Sequence, residues 1–88
     1  MTDELMIRVS GLNAKDAFNT AKAEDDQLRL RTSFHMISVP SGTAPLEFAN
    51  DIFDDPALVP FVHDASAPLG CINLGGGEYL FIGVQGAG

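Results

Sequence analysis

The 88-residue chain has one cysteine, Cys71, and only five basic residues against twelve acidic ones. A single thiol excludes an intramolecular disulfide, and a domain this small without such a crosslink depends on close packing or on a partner. The scarcity of Lys and Arg leaves a formal charge of −7 at pH 7. That charge opposes approach to phosphate backbones and anionic membrane surfaces, so direct nucleic-acid or membrane binding is not expected and a basic partner is favoured. Long apolar runs are also missing. The longest, Tyr79 to Ile82, is far shorter than the roughly 18–20 residues a membrane helix requires. The opening MTDELMIRV is acidic, whereas a secretory leader begins basic. A reducing, cytoplasmic setting is the expectation, and there is no repeat or low-complexity tract.

The same scarcity extends to chemistry. His35, His63, Asp64 and Cys71 are the candidate metal ligands or nucleophiles, and they show neither Cys-x-x-Cys nor His-x-x-x-His spacing, so no metal site is expected. No nucleophile-elbow pattern is present, and no cationic residue lies near Cys71 in sequence to lower its pKa. No catalytic or cofactor-binding residue is assigned, and the chain reads as non-enzymatic.

What is present is a clear alternation of patterns. Leu5, Ile7 and Val9 alternate with Met6 and Arg8, as in a half-buried strand, before Ser10-Gly11 turns the chain. Asn13 is a good N-cap for a helix on which Ala14, Ala17, Phe18 and Ala21 share one side. Leu28, Leu30, Thr32, Phe34 and Met36 then alternate with Arg29, Arg31, Ser33 and His35, after which the apolar phase moves to Ile37 and Val39. That phase shift predicts a bulge near His35. A crossover through the helix predicts that the first two strands are parallel neighbours.

Thr43 is the expected cap of a second helix, with Pro45 in its first turn, an apolar face of Leu46, Phe48, Ala49, Ile52 and Phe53, and an end at Pro56. From Ala57 to Gly70 the chain is broken by Pro60 and Pro68 and reads as an irregular connection with a short edge strand at Phe61 to His63. Gly75-Gly76-Gly77 stands between CINL and EYLFIGV. A phosphate-binding loop leads from a strand into a helix; here a strand follows, so the glycines read as a hairpin turn. The terminal Gly86-Ala87-Gly88 lacks the paired glycines of ubiquitin-like carriers, and a conjugation tail is not expected. The fold class is therefore α+β. The pattern predicts a single two-layer domain over residues 1–88, in the order β-α-β-α-β-β, with an approximately four-stranded mixed sheet and both amphipathic helices on one face.

Charge distribution supplies the functional expectation. Glu24, Asp25 and Asp26 follow the first helix and Asp54 and Asp55 end the second, placing anions where the helix dipole is already negative. Glu47, Asp51 and Asp54 also align as a stripe on the second helix. These seven carboxylates are the candidate partner-binding residues of a small acidic inhibitor or adaptor, acting on a larger, basic, nucleic-acid-handling protein. Arg8, Arg29 and Arg31 read as salt-bridge partners for part of the acidic excess. The alternative is a structural subunit of a symmetric homo-oligomer. In that case Tyr79, Phe81 and Ile82, on a strand that is apolar on both faces, provide the self-association surface.

Overall fold

Leu5 and Val9 are buried while Glu4, Met6 and Arg8 stay exposed, so the alternation in strand β1 (Asp3–Ser10) is realised as a half-buried strand. The computed structural model describes residues 3–28, 31–55, 57–64 and 67–85. Arg29, Leu30, Pro56 and Gly86-Ala87-Gly88 lie outside them. Helix α1 (Ala14–Glu24) starts at the expected cap: the Asn13 side chain accepts from the Asp16 N–H at 2.8 Å, and the Asp16 carboxylate accepts from the Leu12 N–H at 3.1 Å. Two otherwise unpaired donors are satisfied by this exchange, as in a capping box. Strand β2 (Phe34–Met36), helix α2 (Pro45–Asp54) and the hairpin strands β3 (Leu69–Gly75) and β4 (Glu78–Gln85) complete one α+β domain in the predicted order. Gly75, Gly76 and Gly77 all have positive φ (86°, 64° and 83°). Side-chain-bearing residues rarely adopt that conformation, which is why the turn is built of glycine.

The mixed sheet has four strands in the order β1-β4-β3-β2. β4 runs antiparallel to both β1 and β3, and β2 runs parallel to β3. The first two strands are thus parallel but not neighbours. They occupy opposite edges, because the apolar hairpin takes both central positions.

The helices do not share a face. Alternate residues of β3 and β4 feed two separate cores. Leu69, Cys71 and Phe81 pack with Leu5, Val9 and the α1 residues Ala17, Phe18 and Ala21. Ile72, Leu80 and Ile82 pack with Phe48, Ala49 and Ile52 of α2 and with Val59 and Val62. Side chains of opposite parity leave opposite faces of a sheet, so α1 covers one face and α2 the other. The predicted two layers are a helix–sheet–helix arrangement. A strand that is apolar on both sides requires cover on both sides, and here the chain supplies it all.

Double cover also explains the phase shift after Met36. The β2 register is unbroken, and the sheet's one irregularity lies at Asn73 to Gly75 instead of His35. Phe34 packs into the α1-side core, whereas Ile37 and Val39 pack into the α2-side core. The apolar positions change phase because the chain passes from one core to the other. Three further expectations change. Leu28 reaches the core from a 3₁₀ turn (Asp26–Leu28), not from a long strand. Phe61 to His63 belongs to a second 3₁₀ turn (Pro60–His63) that lies over β3 and β4. The α2 cap position is Ala44, with no side-chain bond, so Thr43 is not the cap and Pro45 supplies the favourable start.

Candidate functional site

Helix α2 buries Phe48, Ala49 and Ile52 against the sheet, which turns the opposite side of the helix outward. Glu47, Asp51 and Asp54 are all exposed, one above the next at the spacing that brings helical side chains into a row. Leu46, 46% exposed, adjoins the row at its N-terminal end. None of the three carboxylates forms an ion pair among the described residues; the salt bridge found there joins Arg8 Nη2 to Glu78 Oε2 at 2.6 Å. Asp55, next in the chain, accepts from the Ala57 N–H at 3.1 Å and thereby shapes the turn leaving the helix.

The other acidic cluster belongs elsewhere. Asp25 caps α1, its N–H donating to the Ala21 carbonyl, and its own carbonyl accepts from Leu28 as the 3₁₀ turn begins at Asp26. Glu24, Asp25 and Asp26 therefore follow the helix on one sheet face, while the stripe lies on the helix of the other. The seven carboxylates do not form one surface, and only the α2 row remains as a continuous acidic strip.

No protein family, curated protein or solved structure matches the chain. Function is therefore read from the geometry.

The basic residues divide sharply in role. Arg8 pairs with Glu78 across the β1–β4 ladder, as the expected salt-bridge role requires, and the carboxylate holds the guanidinium pKa above its usual value through hydrogen bond and charge. Arg31 instead turns inward and donates to the carbonyls of Ala67 and Val84. Burial pushes its pKa down, with Asp64 opposing the shift. Lys22 lies over the Phe18 ring, 5.4 Å from its centre, and with Lys15 and Asn19 it borders a depression of about 320 Å³ floored by Phe18 and Phe34. All five basic residues fall between positions 8 and 31, leaving residues 32–88 without any Lys or Arg. This distribution along the chain is the signal that separates the α2 row from Glu24, Asp25 and Asp26.

Both histidines make contacts within the fold. His63 Nε2 donates to the Ile52 carbonyl at 2.7 Å, tying the second 3₁₀ turn to α2. His35 packs edge-on against Phe61, with ring centres 5.1 Å apart. Among the described residues no three His, Cys, Asp or Glu side chains gather as a metal site would require, and no helix is long and apolar enough to cross a membrane.

Cys71 is fully buried, and desolvation pushes its thiol from 9.0 up to about 11. The reactive form is the thiolate, so labelling by a maleimide at pH 8 is expected to be blocked in the native protein and rapid in denaturant. The pH dependence follows from the raised value. This contribution to stability is complete below the unfolded thiol's pKa near 9 and is lost as pH rises toward 11. Denaturation midpoints measured between pH 8 and 11 should fall for wild type and fall less for Cys71→Ala.

Proposed function

We propose that the chain is a non-enzymatic interaction module that lays the outer face of α2 on a basic surface of a larger protein, of the kind that handles nucleic acid, and so inhibits or adapts it. The observation that carries this reading is the exposed row Glu47, Asp51 and Asp54, unpaired within the described residues and set in a stretch of chain without Lys or Arg. An isolated exposed carboxylate contributes little. A row held on a rigid helix attracts a basic partner before contact and fixes its orientation on docking. Leu46 adds an apolar contact beside the charges.

The row also costs the fold something. Asp54 lies in the last turn of α2, which contains no basic residue, so it opposes the negative end of the helix dipole by about 0.3–1 kcal/mol at low salt. Asp54→Lys is expected to stabilise the free domain by that amount in urea denaturation while weakening partner binding. A row with no role in recognition would show the first effect alone.

The direct test is capture from the source cell. Wild type and Glu47→Gln/Asp51→Asn/Asp54→Asn serve as baits at low and high salt. A basic protein retained by wild type, lost by the triple variant and released by salt supports the reading. Recovery of the same proteins by both baits overturns it.

Tyr79, Phe81 and Ile82 do not supply a surface for the homo-oligomer reading. Phe81 and Ile82 are 0% exposed and Tyr79 packs against the α1-side core within the single chain. They fill the interior because β4 is covered by α1 on one side and by α2 and the 3₁₀ turn on the other.

A further inference from the structure

β1 ends the sheet. All eight of its residues pair with β4 without a bulge, and among the described residues no strand lies on its other side. Natural edge strands are commonly blunted by Pro, Lys, a bulge or very short length. The opposite edge, β2, is three residues long, whereas β1 is eight residues long with no Pro, Lys or bulge, and its exposed charges, Glu4 and Arg8, are of opposite sign.

The orientation of the open edge follows from the ladder. The Gly11 N–H donates to the Gly77 carbonyl at 3.0 Å, one step beyond the Ser10–Glu78 pair in the same register. Backbone groups of successive residues point to alternate sides of a strand. Odd-numbered positions of β1 therefore face β4, and Glu4, Met6, Arg8 and Ser10 direct their N–H and C=O groups to the open edge. Glu4, Met6 and Arg8 are exposed, Met6 by 40%, on the sheet face that α1 does not cover.

We propose that β1 pairs antiparallel with β1 of a second copy, about a two-fold axis at Met6. The order of side chains selects this occupant and this register. With Met6 opposite Met6, Glu4 of each copy lies opposite Arg8 of the other, so the axis generates two cross-strand ion pairs flanking one apolar pair. Arg8 contacts Glu78 through Nη2, which leaves the other guanidinium N–H donors for a second carboxylate. Centring the axis on Leu5 sets Glu4 against Met6, and centring it on Ile7 sets Met6 against Arg8; neither forms an ion pair. A parallel partner in register sets Glu4 against Glu4 and Arg8 against Arg8. The product is a continuous eight-stranded sheet that carries both α2 helices on the same side.

Sedimentation velocity over a range of concentrations tests the pairing. Wild type is expected to form a dimer as concentration rises. Glu4→Arg and Arg8→Glu each place like charges opposite one another twice, so each alone should dimerise at least tenfold more weakly. An equimolar mixture of the two variants restores opposite charges at both positions and should recover the dimer. Met6→Lys, which puts two ammonium groups on the axis, should be monomeric, and its circular dichroism establishes that the fold persists. Wild type that stays monomeric at the highest concentration, whether β1 is idle or receives a strand from another protein, overturns the proposal. So does a dimer that survives all three substitutions.

Discussion

Phe81→Ala is expected to remove a large share of the domain's stability. Phe81 lies at the centre of the α1-side core, with its ring 5.6 Å from Phe18 and 5.7 Å from Phe34, which are themselves 4.9 Å apart. Removing the ring loses its burial and leaves a cavity lined by the other two, at a cost of about 3–5 kcal/mol. A domain of this size has roughly 4–13 kcal/mol of total stability. The thermal midpoint, followed by circular dichroism, should fall by more than about 12 °C. A variant that stays folded and changes only its association state would instead make Phe81 part of a surface.

The second large effect is expected at Arg31. Its guanidinium is the donor for the carbonyls of Ala67, just before β3, and Val84, near the end of β4. It thus joins the segment entering β2 to two places far along the chain. Arg31→Ala leaves both carbonyls without this donor, and the cost should be about 2–3 kcal/mol. That is less than for two fully buried charged bonds, because part of the guanidinium remains in water. Arg31→Lys should recover little of it, since one ammonium on a flexible stem does not reproduce a planar fork holding two separated acceptors. Urea midpoints of the three proteins decide the matter. Full rescue by lysine would reduce Arg31 to a generic charge.

Local signals were legible wherever the physics was local. Asn13 three residues before Asp16, Pro45 at the start of α2 and three glycines between apolar strands each specify a backbone event within a few residues. Strand order was not legible, because the alternation of Leu5 or Phe34 shows that a strand has an inward face and does not name its neighbour. Helix placement had a trace in the sequence: β4 is apolar at every position from Tyr79 to Ile82, which requires cover on two sides, and there are two amphipathic helices to provide it. The shift from Phe34 to Ile37 and Val39 was a second sign of the same arrangement, though it also fits a bulge. Leu28 to Met36 looked like one long strand because a period of two continues through Arg31. Only the fold shows that Arg31 turns inward and that pairing with β3 begins at Phe34.

For the acidic residues, helical spacing was enough to find the α2 row. It could not separate that row from Glu24, Asp25 and Asp26, since their grouping depended on which sheet face each helix covers. The confinement of every basic residue to the first third of the chain was the better guide.

The pairing of residues 3–10 with residues 78–85 governs how the molecule is made as well as how it stands. During synthesis β1 is made before every other element of this domain and waits for the strand it needs, with α1 the only early cover for Leu5 and Val9 among the described elements. Helix α1 can form early, but its sheet face cannot. Nearly the whole chain must close into one loop before the central strand is in place, which slows assembly. A polypeptide that ends before β4 lacks the strand with which β1 pairs.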